Sequence, residues 1–414
     1  MALDIDTLLP EVTSAEIVVG IPSFNNARTI PHVVRTAVEG LASYFLGRKS
    51  LVLISDGGSP DQTAAVAVDA ATRALDSLDP ASRKCITVAA IQYRGLSGKG
   101  SAFRDIFEGA ARLGASAVVL LDADLRSVDP AWIGRLAGPI TTGEADYVAP
   151  LYRRHRFDGT ITNSIVYPLT DAVFGGAVRQ PIGGDFGVSG QLARLYASKD
   201  VWSSDVARFG VDLWMTTTAL AEGFRVAQTH LGVKVHDAKD PGQHLAAMLA
   251  QVVGTAFTLL ETYASTWTLG VRADPSPTLG AARPGPLDPV HVDVRSMEEQ
   301  FRFGAKELVS IYRNILPDQT LEGLLDAAST DHPEITGRLW ARTVIHYAIA
   351  FHRRVLARDQ LVRSLTPLYL GRTASFVRQN MDRPDEDVEA DVRALALEFA
   401  DAAHLLHRLW KEEL

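Results

Sequence analysis

The stretch that decides the fold is Ala117-Val118-Val119-Leu120-Leu121-Asp122-Ala123-Asp124. Five apolar residues run unbroken into a pair of acids. A continuous run of this kind suits a strand covered on both faces, as in a parallel sheet. Two carboxylates at the end of such a strand are costly unless a cation meets them. In an extended chain, the i, i+2 spacing turns both side chains to one side. Their oxygens suit a hard cation such as Mg or Mn, which can bridge to a diphosphate and neutralise a leaving group.

Similar Val- and Ile-rich runs occur at 16–22, 50–55, 86–92 and 145–150, with helical patterns between them. In 101–113, Phe103, Ile106, Phe107, Ala110 and Leu113 share one helical face, and Gly114 follows as a stop. This alternation predicts an α/β fold: a mostly parallel sheet with helices on both sides and ligands beyond the carboxyl ends of the strands. Residues 151–235 are less regular and close with a strand-like stretch at 224–235. From about His236 the pattern turns Ala/Leu-rich and helical, interrupted by a Pro/Gly loop at 273–289. The expected domains are a catalytic α/β domain over 1–235 and an α-helical region over 236–414.

Composition excludes several classes. The 414 residues are 47% hydrophobic and 22% charged, which rules out disorder and fibrous repeats. A net charge of -8 without a long basic run argues against nucleic acid or a membrane surface as partner. The single Cys85 excludes a disulfide framework and a cysteine zinc cage, and suits a reducing cytoplasm. No signal-peptide pattern opens the chain. The most apolar stretch, 245–260, is broken by Gln251, Gly254 and Thr255 and falls short of the ~20 residues that span a bilayer. It reads as a core helix of a soluble, cytoplasmic protein. A homodimer contact through the helical half is open, without a residue-level argument.

Polar residues gather where the strands end. After the first comes Ile21-Pro22-Ser23-Phe24-Asn25-Asn26-Ala27-Arg28-Thr29-Ile30, with no G-x-G-x-x-G; Asn25 or Asn26 can cap the next helix. After the second comes Ser55-Asp56-Gly57-Gly58-Ser59-Pro60-Asp61-Gln62-Thr63. There Ser59, Pro60 and Gln62 read as a capping box with proline at the first helical position. Asp56 is either an acceptor for a nucleobase imide or ribose hydroxyl, or a carboxylate satisfied by turn amides. In Gly95-Leu96-Ser97-Gly98-Lys99-Gly100 a Walker A loop fails, because Tyr93 and Gly100 stand where it needs Gly and Ser/Thr. Lys99 can still meet a phosphate as a mobile point charge, the alternative being a flexible surface loop.

The ordered set V-G-I-P-S-F-N-N-A-x-T-I, S-D-G-G-S-P-D-Q-T, G-K-G and L-D-A-D resembles the nucleotide-sugar half of a GT-A glycosyltransferase. Its continuation is Gln180-Pro181-Ile182-Gly183-Gly184-Asp185, then Phe209-Gly210-Val211-Asp212, then Thr229-His230-Leu231-Gly232-Val233-Lys234-Val235-His236. These are similar to the retaining group that includes mannosylglycerate synthase and glucosyl- or mannosyl-3-phosphoglycerate synthase, over 16–248. The resemblance implies a GT-A fold, a GDP- or UDP-linked hexose as donor and a divalent Mg or Mn. By position, Pro22, Ser23, Phe24, Asn26 and Asp56 would hold the nucleoside and Lys99 the nucleotide. Asp122 and Ala123 would lie near the ribose or metal. Asp124 would be the main metal ligand, with His236 a distant one. Gly183 and Gly184 would approach the sugar, Asp185 would accept its hydroxyls, and the Ile182 carbonyl would face the anomeric carbon. Asp212 would contact sugar or acceptor, its alternative being a helix N-cap.

The acceptor is read from Leu151-Tyr152-Arg153-Arg154-His155-Arg156, the densest positive run. Arginine forks match carboxylate and phosphate. Arg153 and Arg154, with Thr160, Thr162 and Asn163 as neutral donors, fit a small anionic acceptor such as glycerate or 3-phosphoglycerate; a solvated basic loop is the alternative. Asp158 departs from the glycine-rich segment of the phospho-acceptor enzymes and leaves free glycerate open. Three other readings are an inverting transferase using Asp212 or Asp185 as base, an aspartyl phosphatase, and a non-catalytic sugar-nucleotide module. For the phosphatase the acid pair would have to close the first strand rather than the fourth.

Overall fold

The computed structural model describes residues 12–412 except 236–240, 283, 284, 286 and 288. It divides into two units. One takes the chain up to Arg153 with Val178–Lys239 and Pro275–Leu287; the other takes Arg154–Ala177, Asp240–Asp274 and everything from Asp288. A single boundary at 235/236 therefore misses the crossing at 154–177. Those residues join the helical unit because Phe157 and Tyr167 pack with Phe376, Val377, Val388, Val392 and Ala396 of two C-terminal helices.

The first unit is built on one sheet. Its strands are β1 (Ile17–Ser23), β2 (Ser50–Asp56), β3 (Ile86–Gln92), β4 (Ala117–Leu120), β5 (Tyr147–Arg153), β6 (Phe186–Ser189), β7 (Val226–Val233) and β8 (Thr278–Leu279). They lie in the order β3-β2-β1-β4-β6-β5-β7-β8, with β6 antiparallel to both neighbours and every other pairing parallel. All residues of β1 and β2 are buried, which is why neither alternates polar with apolar. Ile17, Val19 and Ile21 pack under the helices Ile30–Tyr44 and Ala131–Thr141. On the other face, Gly20 leaves room for Ile106 of the helix Lys99–Arg112. Register aligns Ser23 with Asp56, and Asp56 with Gln92, so the polar loops open from one edge.

β4 ends at Leu120, two residues sooner than the sequence suggests, and a turn carries Ala123 and Asp124. The extended-chain argument for the two acids therefore does not apply. The second unit is helical, with long helices at Pro241–Thr262, Gly337–His352, Arg358–Asn380 and Asp385–Lys411. The last starts on Asp385, Glu386 and Asp387 and finishes with Arg408 and Lys411, which matches the helix dipole at both ends. Leu245–Thr262 is long and apolar enough to cross a membrane by length and composition, and half of it is buried.

Candidate active site

The loops after β1 and β2 are tied together by Asp56. Its Oδ1 accepts from the backbone N–H of Gly58 at 2.9 Å and Ser59 at 2.7 Å. Its Oδ2 accepts from the hydroxyls of Ser23 at 2.8 Å and Ser59 at 2.7 Å. A carboxylate has about four lone-pair positions, and four donors already use them; of the two readings of Asp56, the turn-amide one describes this structure. The capping box is corrected accordingly. Ser59 faces Asp56, Gln62 has a left-handed φ of 64°, and the helix Thr63–Asp76 begins only afterwards. The N-cap is Gln62, without a side-chain cap, and Asp61 just before it accepts from Thr63 N at 3.1 Å. Neither Asn25 nor Asn26 caps the helix Ile30–Tyr44, whose N-cap is Thr29. Instead Asn26 Oδ1 accepts from Phe24 N at 2.9 Å, and Phe24 stands 52% exposed above the loop. Pro22 and Ser23 are buried in β1.

Beyond β4 lies a cluster of charges. Lys99, the first residue of the helix Lys99–Arg112, sends Nζ to Asp122 Oδ1 at 2.8 Å, Asp212 Oδ1 at 3.1 Å and the Gly184 carbonyl at 3.3 Å. Lys234, one residue past β7, sends Nζ to Asp122 Oδ2 at 2.9 Å, Asp185 Oδ2 at 3.0 Å and the Gly183 carbonyl at 2.7 Å. Two ammonium groups thus straddle one carboxylate. Burial alone would lower the Lys99 pKa, but Asp122 and Asp212 outweigh it and hold the value well above the usual lysine range. Lys99 opens the helix with its ammonium paired to two carboxylates, and is not a surface loop residue.

Asp185 is wholly buried. Its Oδ1 accepts from Asp122 N at 2.8 Å, and its Oδ2 accepts from the Tyr152 hydroxyl as well as Lys234. Burial raises its pKa and neighbouring Asp122 adds to the rise, while Lys234 and Tyr152 oppose it. Asp185 holds the backbone of Asp122, and both of its oxygens are engaged by protein donors. Gly184 has a φ of +91°, and a Cβ there would fall 2.6 Å from Lys234 Nζ, so only glycine lets the segment pass so close.

The segment leading to it is pinned by its carbonyls. Pro181 O accepts from Thr216 Oγ1 at 2.8 Å, Gly183 O from Lys234 and Gly184 O from Lys99. Half-buried Ile182 lies between these anchors. Thr216 stands one turn beyond Asp212 on the helix Val211–Ala221, whose N-cap is Gly210. Asp212 is therefore no cap, and its carboxylate turns to Lys99.

Among the described residues no three acidic, histidine or cysteine side chains gather as a metal site. Both oxygens of Asp122 face lysines, and Asp124 is a buried carboxylate at 8% exposure. His236 lies outside the described residues. The basic run divides between the units: Arg153 Nη1 donates to Gly285 O at 3.1 Å in the first, while Arg154 pairs with Asp158 at 3.4 Å in the second. Thr160 Oγ1 lies 2.5 Å from the Tyr369 hydroxyl, and Thr162 opens a π-turn, Thr162–Val166. Lys234, Tyr152 and Thr216 are site residues that the motifs did not single out. Lys234 had a readable signal, a charge closing an apolar strand, the same argument that marked Asp122.

Residues 18–171 match the glycosyl transferase family 2 model, and with this sheet they define a GT-A glycosyltransferase that uses a nucleotide-diphosphate sugar. The chain is similar to the glucosyl-3-phosphoglycerate synthase of Mycobacterium tuberculosis H37Rv, 25% identical over 257 residues that cover 57% of this chain and 70% of the relative. It resembles the Mycolicibacterium smegmatis enzyme of the same name at 24% over 254 residues, covering 57% and 74%. A crystal structure of the M. tuberculosis synthase with Mn2+, UDP-glucose and phosphoglyceric acid superposes with a TM-score of 0.46 and 24% identity, over 63% of this chain and 85% of that one.

Proposed function

We propose that this glycosyltransferase works with retention and moves glucose or mannose from a GDP- or UDP-linked donor to glycerate or 3-phosphoglycerate. The observation that carries the reading is the Lys99–Asp122–Asp212 cluster beside Gly183 and Gly184. Lys99 would steady the departing diphosphate as a fixed ammonium, and Asp212 would orient sugar or acceptor hydroxyls. The Ile182 carbonyl would face the anomeric carbon, so that the acceptor hydroxyl attacks on the side from which the diphosphate leaves. Positioning would supply much of the rate. Retention is favoured over inversion because the Asp212 carboxylate, a base that an inverting route would need, is engaged by Lys99 Nζ. The names of the curated relatives favour a glyceric-acid acceptor, and Arg153, Arg154, Thr160 and Thr162 are candidates to bind it. Pro22, Ser23, Phe24, Asn26 and Asp56 would frame the nucleoside, with Asp56 acting through the loop it organises.

Asp124, with His236, would hold a divalent Mg or Mn, which when bound supplies charge neutralisation to the diphosphate. Asp124→Ala should lower turnover at least 10²-fold and remove the Mn dependence of nucleotide binding, read by calorimetry with UDP and GDP; normal turnover sinks the metal assignment. The reading as a whole is tested by a matrix of donors and acceptors with NMR of each product. Transfer to a glyceric acid with the donor's anomeric configuration kept is expected. Inverted configuration, or no glyceric acid accepted, overturns it.

A further inference from the structure

The loop that leads into Lys99 is tied to an acid of the helix it enters. Asp105 lies in the second turn of the helix Lys99–Arg112 and is 2% exposed. Its Oδ2 accepts from the backbone N–H of Arg94 at 3.1 Å. The Arg94 guanidinium reaches both carboxylate oxygens, Oδ2 from Nε at 3.5 Å and Oδ1 from Nη2 at 3.4 Å. Glu108 takes the same Nη2 at 2.5 Å. Burial raises the Asp105 pKa and Glu108 adds to the rise, while Arg94 opposes it. A buried carboxylate is costly without donors, so Asp105 depends on Arg94 as much as the loop depends on Asp105. The tie matters because the helix has no cap of its own. Gly98, its N-cap, offers no side chain to the orphan amides of the first turn, and such an end frays unless something outside holds it. Gly95 turns the chain just after Arg94 with a φ of +94°. Tyr93 N donates to Asp56 O at 3.0 Å, and the Tyr93 hydroxyl accepts from Gly98 N at 3.2 Å. With the Arg94–Asp105 bonds, these close the loop 93–98 back on the helix and leave only Gly95, Leu96 and Ser97 exposed at its tip.

We propose that Asp105 is a positioning residue for donor binding. Through Arg94 it fixes the loop 93–98, and with it the point at which the helix starts and from which Lys99 Nζ reaches Asp122, Asp212 and the Gly184 carbonyl. An ammonium already held in place loses less freedom when a diphosphate arrives than one on a frayed turn. Asp105 acts only through this loop and takes no part in the contact itself. The inference rests on the reading of Lys99 as the cation that meets the diphosphate.

The test uses the full chain, well below its melting temperature, with two readouts: calorimetry with UDP and GDP in the presence of Mn, and hydrogen exchange over residues 93–100. Asp105→Leu has a similar shape and no acceptor. It should bind the nucleotide that the wild type binds about fivefold or more weakly, the weight of one intramolecular hydrogen bond, and exchange faster over 93–100. Asp105→Asn keeps an acceptor for the Arg94 amide and should recover most of that affinity. Arg94→Met loses the fork but keeps the backbone bond, and should fall between the two. A merely structural role would lower melting temperatures without this order of affinities. Affinity or exchange unchanged in Asp105→Leu overturns the proposal. If that variant does not fold, Arg94→Met decides, and its equality with the wild type in either readout overturns the proposal. Lys99→Met separates the two readings. If it weakens nucleotide binding and Asp105→Leu does not, only the Asp105 proposal fails. If Lys99→Met binds as the wild type does, or the wild type binds neither nucleotide, the reading of Lys99 fails and takes the proposal with it.

Discussion

Lys234 Nζ lies within 3.0 Å of two carboxylates and a carbonyl, and its side chain is 5% exposed. Nothing that buried is neutral to remove. Lys234→Met leaves Asp185 charged beneath Asp122 without its cation, which should cost about 3–5 kcal/mol of stability, the range for breaking a buried pair. Adding Asp185→Asn removes the orphaned charge and should recover a large part of that loss. Turnover should stay low in both variants, because neither restores the second cation on Asp122. Denaturant melts and a steady-state assay read the two effects separately. Equal stability of Lys234→Met and wild type would mean that the cluster is less tightly coupled than its distances indicate. The acids of this cluster were readable from strand ends and motifs. The inward turn of Asp185 was not, because a buried carboxylate and a sugar-facing one look alike in a one-dimensional pattern.

At the scale of elements, the site depends on close approaches that glycine permits. The helix carrying Lys99 begins against the segment of Val206 and Ala207, and a Cβ on Gly100 would clash with the Val206 carbonyl. That contact is backbone and cannot move aside as a side-chain tip does. Gly100→Ala should therefore cost about 1–3 kcal/mol, as overpacking does, and displace Lys99 enough to lower activity. Gly138, inside the helix Ala131–Thr141, has open space where its Cβ would be. Pro139 follows directly, and a Cβ on a helical residue before proline is disfavoured, so Gly138→Ala should change stability by less than about 0.5 kcal/mol and leave activity unchanged. Thermal melts of the pair distinguish a packing glycine from a dispensable one. Strand positions were legible because buried strands leave unbroken apolar runs. The end of β4 and the start of the helix after Gln62 were not, since Asp122 N is held there by Asp185 and Asp61 accepts from Ala27 N, contacts between residues far apart along the chain.

For the molecule as a whole, burial of phenols sets an alkaline limit. Burial pushes the Tyr369 pKa up to about 12, with Thr160 and Thr373 opposing, and raises Tyr147 and Tyr347 well above the ordinary value. An unfolded tyrosine ionises near pH 10. Between that pH and the folded values the native state binds more protons than the unfolded chain, so stability falls as pH rises. Melting temperature should change little between about pH 8 and 9.5 and drop above about pH 10. Tyr369→Phe should make that drop shallower; an unchanged slope would remove Tyr369 from its cause.

The alternation of strands and helices, the GT-A class, and Lys99, Asp122 and Asp212 as separate candidate site residues were contained in the order of residues. Local periodicity and the cost of ending an apolar strand in a charge are short-range facts, visible one segment at a time. Which acid is paired with which lysine, that a buried Asp185 holds the backbone of Asp122, and that 154–177 leaves the first unit for the helices were decided only in three dimensions. Each depends on groups dozens to hundreds of residues apart meeting at contact distance, where burial and Coulomb energy become large enough to choose one partner over another.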